Sequence, residues 1–329
     1  MPVSGQGSRI LVAEFMDREG LAALEAAGPV TYRPELGAAR TAFLQAVAGS
    51  DALVVRNRCR VDSALLAAAG PQLRVVGRLG AGLDNVDLAA CAHAGVRVVF
   101  ARGANAQAVC EYVFASALHL LRHLAAADQA VRAGQWPREA FLGGELAGRT
   151  LGIVGLGEVG RRLCQPAAAF GMRVVGTDPA YAADTPALRG LPVQLLALPE
   201  VLAAADILSL HLPLFPATYH LMGAERLAMM RGGSILIQAS RGGVVDEAAL
   251  AEHLRTGHLA GAALDVREEE PPPHPDPLAG LENVLLTPHL AGLTVEAQRQ
   301  VGRMVAEDVL RVLRGEDPQA EAHPEPGQA

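Results

Sequence analysis

Apolar residues fall in short runs along the chain, each followed by a longer stretch where they recur at helical spacing. Arg9 to Phe15, Ala52 to Arg56, Arg74 to Arg78 and Val96 to Phe100 read as buried strands. Arg18 to Ala27 and Val61 to Ala69 read as helices, ended by Gly28-Pro29 and Gly70-Pro71. Glu111 to Ala133 is mostly apolar and predicts one long helix, a spine between two domains. The alternation then restarts, with strands predicted at Thr150 to Val154, Met172 to Gly176, Ile207 to Leu210, Ser234 to Gln238, Gly261 to Val266 and Asn283 to Thr287. A last helix is expected over Val295 to Leu313. Strands alternating with helices predict parallel sheets covered on both faces, hence an α/β chain of two doubly wound domains.

Composition agrees with that picture. Half of the 329 residues are hydrophobic and only 4% are aromatic, which suits strands buried on both faces. The net charge of −7 argues against nucleic acid or an anionic membrane as the main partner, since both need a basic face. Cys59, Cys91, Cys110 and Cys164 form no CxxC pair, so neither a metal site nor a disulfide framework is expected, and a reducing compartment fits. No signal peptide or bilayer-length apolar run is legible, so a cytoplasmic protein is expected. The polar, Pro-rich segment 317–329 predicts a disordered tail.

The first chemical signature follows the strand Thr150 to Val154. Gly155-Leu156-Gly157-Glu158-Val159-Gly160 is a GxGxxG opening a helix: Gly155 for the tight turn, Gly157 for close approach of a pyrophosphate, Gly160 for helix–strand packing. The helix N-terminus offers unpaired N–H groups to phosphates. Asp178 lies eighteen residues after Gly160, at the end of the next strand, where a carboxylate accepts the ribose hydroxyls of NAD and repels the 2′-phosphate of NADP. Pro166 inside the helix is unusual and predicts a bend.

Three further segments stand out: Ala239-Ser240-Arg241-Gly242-Gly243-Val244-Val245-Asp246-Glu247, Leu264-Asp265-Val266-Arg267-Glu268-Glu269-Glu270-Pro271 and Leu286-Thr287-Pro288-His289-Leu290-Ala291-Gly292. With Gly155 to Gly160 they closely resemble the D-isomer specific 2-hydroxyacid dehydrogenase family, over about residues 10 to 314. Val75 to Asp87 is similar to the phosphoglycerate dehydrogenase branch. The resemblance implies a Rossmann coenzyme domain over 106–294 and a flavodoxin-like substrate-binding domain made of 1–105 and 295–316, with the cleft between them. It implies NAD, a small 2-hydroxy or 2-oxo acid as substrate, and no metal.

It also implies site residues. Oxidising a 2-hydroxy acid needs a base with a pKa near 7, and His289 is the candidate. Glu270 would hold the other ring nitrogen, and Arg241 the substrate carboxylate. Glu268 and Glu269 are taken as solvated neighbours. The related formate dehydrogenases carry Gln where this chain has Glu270, which points to an alcohol–carbonyl substrate. Glu158 and Val159 would offer amides to the pyrophosphate. Leu212 and Ala239, Ser240 and Arg241 would line the nicotinamide half, Asp265 would meet its carboxamide side, and Gly292 would lie near the ring. Ala81 stands where phosphoglycerate dehydrogenases often have Thr, which weakens cofactor contact modestly.

Backbone amides of Leu79, Gly80, Ala81 and Gly82 are expected to take the substrate carboxylate, with Asn105 near the cleft. Arg56, Arg58 and Arg60 would line up on one face if the segment is extended. Arg78 and Arg102 end two other strands, and such strand ends border ligands in doubly wound sheets. The excess of arginine points to a second anion on the substrate, of the 3-phosphoglycerate or sulfolactate type. A glyoxylate or hydroxypyruvate reductase is the enzyme alternative, and an NAD-sensing corepressor-like binding protein the alternative of another class. With the chain ending soon after residue 316, no C-terminal regulatory domain is expected. A homodimer through the coenzyme domains is expected, with Gly134 to Gly148 and Trp136 at the contact.

Overall fold

In the computed structural model, residues 8–182 and 185–324 are described. The chain divides into two compact units, Met1–Asn105 with Leu293–Ala329, and Ala106–Gly292. The strands in chain order are β1 Ile10–Val12, β2 Val30–Tyr32, β3 Ala52–Val55, β4 Val75–Arg78, β5 Arg97–Phe100, β6 Thr150–Val154, β7 Arg173–Thr177, β8 Gln194–Leu195, β9 Ile207–Leu210, β10 Ser234–Gln238, β11 Leu259–Leu264, β12 Val284–Leu286 and β13 Glu321–Ala322.

In the first unit the sheet order is β13-β5-β4-β3-β1-β2, parallel except for β13. Without β13 this is the flavodoxin-like order, with its switch point between β1 and β3. Every residue of β1 and β3 is buried, as continuous apolar strands covered on both faces must be. Helix Val295–Arg314 packs Val301, Val305, Ala306 and Val309 on one face of the sheet, against Val12, Val54 and Val75. Thr294 caps its first turn by accepting from the Ala297 N–H.

The second unit orders its sheet β12-β11-β10-β9-β6-β7-β8, all parallel. Counted from β6, six of these strands follow the Rossmann order with the switch point between β6 and β9. Strands β6, β9 and β10 are buried throughout. Helix Ala106–Leu121 covers one face with Val113, Phe114 and Ala117, and Val201, Leu227, Leu250 and Leu254 fill the other. No described helix is long and apolar enough to cross a membrane. The four cysteines are buried and unpaired, and no cluster of His, Cys, Asp or Glu among the described residues could hold a metal ion.

Three expectations are corrected. The long helix over 111–133 is two helices, Ala106–Leu121 and Leu124–Arg132, separated by a left-handed His123 with φ of 51°. The first buries a face against β10 and β11 and the second buries no residue, so tertiary packing rather than a breaker residue sets the break. Residues 317–324 are not a disordered tail. Buried Asp308 accepts the N–H groups of Gln319 and Ala320 at 2.7 and 3.0 Å, Arg97 Nε donates to Glu321, and β13 closes the edge of β5. Composition could not show that β5 leaves an edge to be paired; residues 325–329 lie outside the described residues. Residues 56–60, finally, are not extended. The N–H groups of Arg56, Asn57, Arg58 and Cys59 all turn onto the carboxylate of buried Glu14, at 2.6 to 3.3 Å. Amides that converge on one carboxylate cannot alternate in direction, so Arg56, Arg58 and Arg60 do not share a strand face.

Candidate active site

The second unit gathers its chemistry at the carboxyl ends of β6, β7, β10, β11 and β12. Gly155 follows β6 with φ of 94°, and a Cβ there would meet the carbonyl oxygen of His211, after β9, at 2.3 Å. A Cβ on Gly160 would meet the Gly155 oxygen at 2.0 Å, so only glycine lets the helix start this close to the strand. Gly157 differs: a Cβ there meets nothing within 4 Å and would intrude on open space in front of helix Glu158–Ala169. No side chain caps this helix, so the amides of Glu158 and Val159 face that space as donors, with the positive end of the helix dipole behind them.

Asp178 Oδ2 accepts from Leu156 N–H at 2.8 Å and Oδ1 from Ala180 N–H at 2.9 Å, tying the glycine turn to the end of β7. A carboxylate has about four acceptor sites, so each oxygen keeps one. Leu212 packs beside Gly155. This donor set, open cradle and acidic residue fit a dinucleotide. Arg161, which pairs with Glu158 and donates to Tyr181 Oη at 2.6 Å, was not anticipated. Pro166 cannot bond the Arg162 carbonyl, and the Cys110 thiol sits there instead at 3.7 Å, while the helix continues to Ala169.

Glu270 and His289 come together: Nδ1 lies 2.9 Å from Glu270 Oε2, and both side chains keep over two fifths of their surface exposed. A cavity of about 460 Å³ borders the pair, lined also by Pro271, Pro272, Leu286 and Pro288. His289 has φ of 54°, rare for a residue with a side chain, and its N–H is held by the carbonyls of Asp265 at 2.7 Å and Thr287 at 3.0 Å. The Asp265 carboxylate is committed to the same loop. It accepts from Thr287 Oγ1, Leu290 N–H and Ala291 N–H at 2.7 to 2.8 Å, and Tyr112 Oη closes the network on Thr287. Asp265 is buried and holds the His289 turn. Gly292 ends the unit, three residues after His289.

Arg241 stands on the turn after β10, which buried Gln238 organises: Nε2 donates to Arg241 O at 2.8 Å, and Oε1 accepts from the N–H and hydroxyl of Ser240. Ala239 and Ser240 are half-buried there. The next residue, Gly242, lies flat on the Arg267 peptide, where a Cβ would be 1.6 Å from the carbonyl oxygen. Sequence reading missed Gln238, Arg267, Glu247 and Asp276, because a buried polar network has no sequence periodicity. Glu268 is no bystander either: it accepts the Glu247 N–H at 3.0 Å and lies 3.1 Å from His220 Nε2. A rival base, His211, is paired with Ser209 Oγ at 2.8 Å, and desolvation lowers its pKa to about 3, so its ring is neutral at physiological pH.

In the first unit, β3, β4 and β5 are adjacent and end together, with Val55 beside Arg78 and Arg78 beside Phe100. Arg56, Arg78 and Arg102 therefore stand along one sheet edge, at the carboxyl ends. Arg56 and Arg78 are half-buried, and Arg102 lies over the Phe100 ring at 5.5 Å. Burial lowers the Arg56 pKa, against the opposing pull of Glu14. Arg58 is exposed, and Arg60 reaches Asp62 at 3.7 Å. In the glycine loop, Leu79 N–H is spent on Val55 O at 2.8 Å and Gly80 N–H on Arg78 O at 2.9 Å. That leaves Ala81 and Gly82 as the donors of the expected anion loop. Asn105 is the last residue before the second unit.

Comparison with known proteins agrees with this arrangement. The sequence profile of the D-isomer specific 2-hydroxyacid dehydrogenase NAD binding domain matches residues 114–291. The chain is 44% identical over 306 residues to the (S)-sulfolactate dehydrogenase of Chromohalobacter salexigens, covering 93% of this chain and 98% of that one. It is 43% identical over 307 residues to the D-3-phosphoglycerate dehydrogenase of Mycobacterium leprae, spanning 57% of that protein's length. Among solved structures, a Thermus thermophilus protein superposes with a TM-score of 0.86 at 35% identity, covering 95% of this chain and 99% of its own. A glyoxylate reductase from Paecilomyes thermophila superposes with a TM-score of 0.84 at 26% identity, covering 96% and 98%. The dinucleotide cradle, the motif order and these likenesses place the chain in the D-isomer specific 2-hydroxyacid dehydrogenase family, as an NAD-dependent oxidoreductase.

Proposed function

We propose that this dehydrogenase acts on a 2-hydroxy acid bearing a second anionic group, a sulfonate or phosphate, as in sulfolactate or 3-phosphoglycerate. The observation that carries this reading is the edge formed by Arg56, Arg78 and Arg102 in a chain with net charge −7. The 44% identity to a sulfolactate dehydrogenase supports it. Bound NAD supplies the hydride acceptor. His289 takes the hydroxyl proton, and Glu270, 2.9 Å from Nδ1, fixes the tautomer that leaves Nε2 to do so. Arg241 binds the carboxylate common to all substrates, and its planar fork suits that task. Ala81 and Gly82 add amide donors. Following NADH absorbance with a panel of 2-hydroxy acids, with and without a distal anion, tests this reading. Substrates with the second anion should be preferred; turnover of lactate, or of glycolate and glycerate (the reduced partners of glyoxylate and hydroxypyruvate), equal to or above theirs counts against it.

A homodimer is part of the same reading. Leu124, Val131, Trp136 and Leu142 are exposed along one stretch of the second unit, Trp136 at 76% and Leu142 at 87%. Contiguous exposed apolar side chains mark interaction surfaces. Sedimentation should give a dimer, and Trp136→Glu a shift toward monomer.

A further inference from the structure

We propose that Arg267 is a positioning residue whose buried clamp on Glu247 and Asp276 sets the peptide that orients Glu270 toward His289. The proposal rests on reading His289 and Glu270 as the acid–base pair.

Arg267 stands where a strand has just ended, and its side chain turns inward instead of reaching water; only 7% of it is exposed. Nε and Nη2 donate to the two oxygens of Glu247 at 3.0 and 2.7 Å, while Nη1 and Nη2 donate to the two oxygens of Asp276 at 3.0 and 2.6 Å. Both carboxylates are about nine-tenths buried. Two bidentate pairs leave a guanidinium no rotational freedom. Burial opposes the charge, but the bonds to Glu247 and Asp276 outweigh it and raise the Arg267 pKa.

The backbone of the same residue touches the candidate site twice. Its N–H donates to Glu270 Oε1 at 3.1 Å, while the other oxygen of Glu270 takes the His289 ring. Its carbonyl is the surface on which Gly242 rests, one residue after Arg241. Glu247 fastens the next peptide too, accepting the Glu268 N–H at 2.8 Å. Asp276 accepts the Leu278 N–H and so anchors the far end of the loop. One buried arginine thus ties both ends of the Glu270 loop to the helix that begins at Glu247. Among the described residues the Glu270 carboxylate bonds only the Arg267 N–H and the His289 ring, and its side chain is 41% exposed.

The triple variant Arg267→Met, Glu247→Gln, Asp276→Asn removes the clamp without leaving a buried charge, and its amide oxygens still accept the Glu268 and Leu278 N–H groups. Replacing a buried ion network by a neutral one is often tolerated. Misplacement on the scale of an ångström costs roughly 100-fold in rate. The variant should therefore lose about 10- to 100-fold in kcat, with KM for NAD changed by less than about threefold. ¹⁵N-histidine NMR reads the pair without turnover: the His289 signal, assigned by its loss in His289→Gln, should show a protonated Nδ1 in the parent and lose that signature in the variant. Parental kcat with a parental signature overturns the proposal, as does a fall in kcat with the signature unchanged. A changed signature with parental kcat leaves the positioning intact and removes His289 from the chemistry, so the two failures are distinguishable. If the triple variant does not fold, Asp276→Asn, which keeps the Glu247 bonds, should move both readouts the same way by less; no movement in either rejects the clamp.

Discussion

His289 occupies a left-handed backbone position that its side chain would ordinarily avoid, and two carbonyls and the buried Asp265 carboxylate hold it there. Such a conformation persists only where the surroundings over-determine it, and it aims the ring at Glu270. His289, Glu270 and Arg241 stood out in the sequence as parts of ordered motifs that resemble the family's. The residues that hold them were not, because Asp265, Gln238 and Arg267 act through contacts distant in sequence. His289→Gln should bind NADH as the parent does, by fluorescence titration, and lose roughly 100-fold or more in kcat. Near-parental turnover would remove His289 from the mechanism. Asp178 keeps an acceptor site on each oxygen beside the glycine turn, so NAD should be preferred over NADP in kcat/KM, and Asp178→Ser should narrow that preference. Equal efficiency of the parent with both cofactors would show that the carboxylate does not face the 2′ position.

Between strands, the sequence was read well wherever an apolar run stood alone. Predicted Thr150 to Val154, Ile207 to Leu210 and Ser234 to Gln238 coincide with β6, β9 and β10. The short edge strands β2, β8 and β13 carry half-buried or exposed residues and gave no apolar signal. The loop after β3 was misread for a different reason: what bends it is Glu14, forty-two residues before Arg56, filling the crevice at the β1/β3 switch point. The 265–278 loop yields a test of its electrostatics. Its bonds to Arg267 lower the Asp276 pKa from an ordinary 3.8. A depressed carboxylate stabilises the fold fully above its unfolded pKa, and that stability is lost as pH falls through the folded value. Urea unfolding followed downward from pH 5 should therefore show a loss that begins near pH 4, and Asp276→Asn should be less stable at neutral pH but shallower in this acid limb. An unchanged acid limb would mean that Asp276 is not ionised in the clamp.

Over the whole molecule, two sheets of different strand order both place polar groups at the carboxyl ends of parallel strands near a switch point, where doubly wound sheets generally bind ligands. In the second unit these are the groups of the glycine turn after β6; in the first, Glu14 and the arginines after β3, β4 and β5. The restart of the alternation after residue 150 made a second sheet legible. The return of the chain to the first unit came only with the family resemblance, which put the boundary at 294/295 where the chain divides after Gly292. The most direct test of the account is the ratio of kcat/KM for a dianionic over a monoanionic substrate, sulfolactate or 3-phosphoglycerate over lactate or glycerate, in the parent, Arg56→Ala and Arg78→Ala. A charge-assisted contact in a desolvated site is worth on the order of 1.5–3 kcal/mol, about a tenfold to hundredfold effect. At least one variant should lose that factor for the dianion while keeping the monoanion rate, unlike Arg241→Ala, which should impair every substrate. Equal loss for both substrates, or no loss in either variant, would contradict the second-anion site.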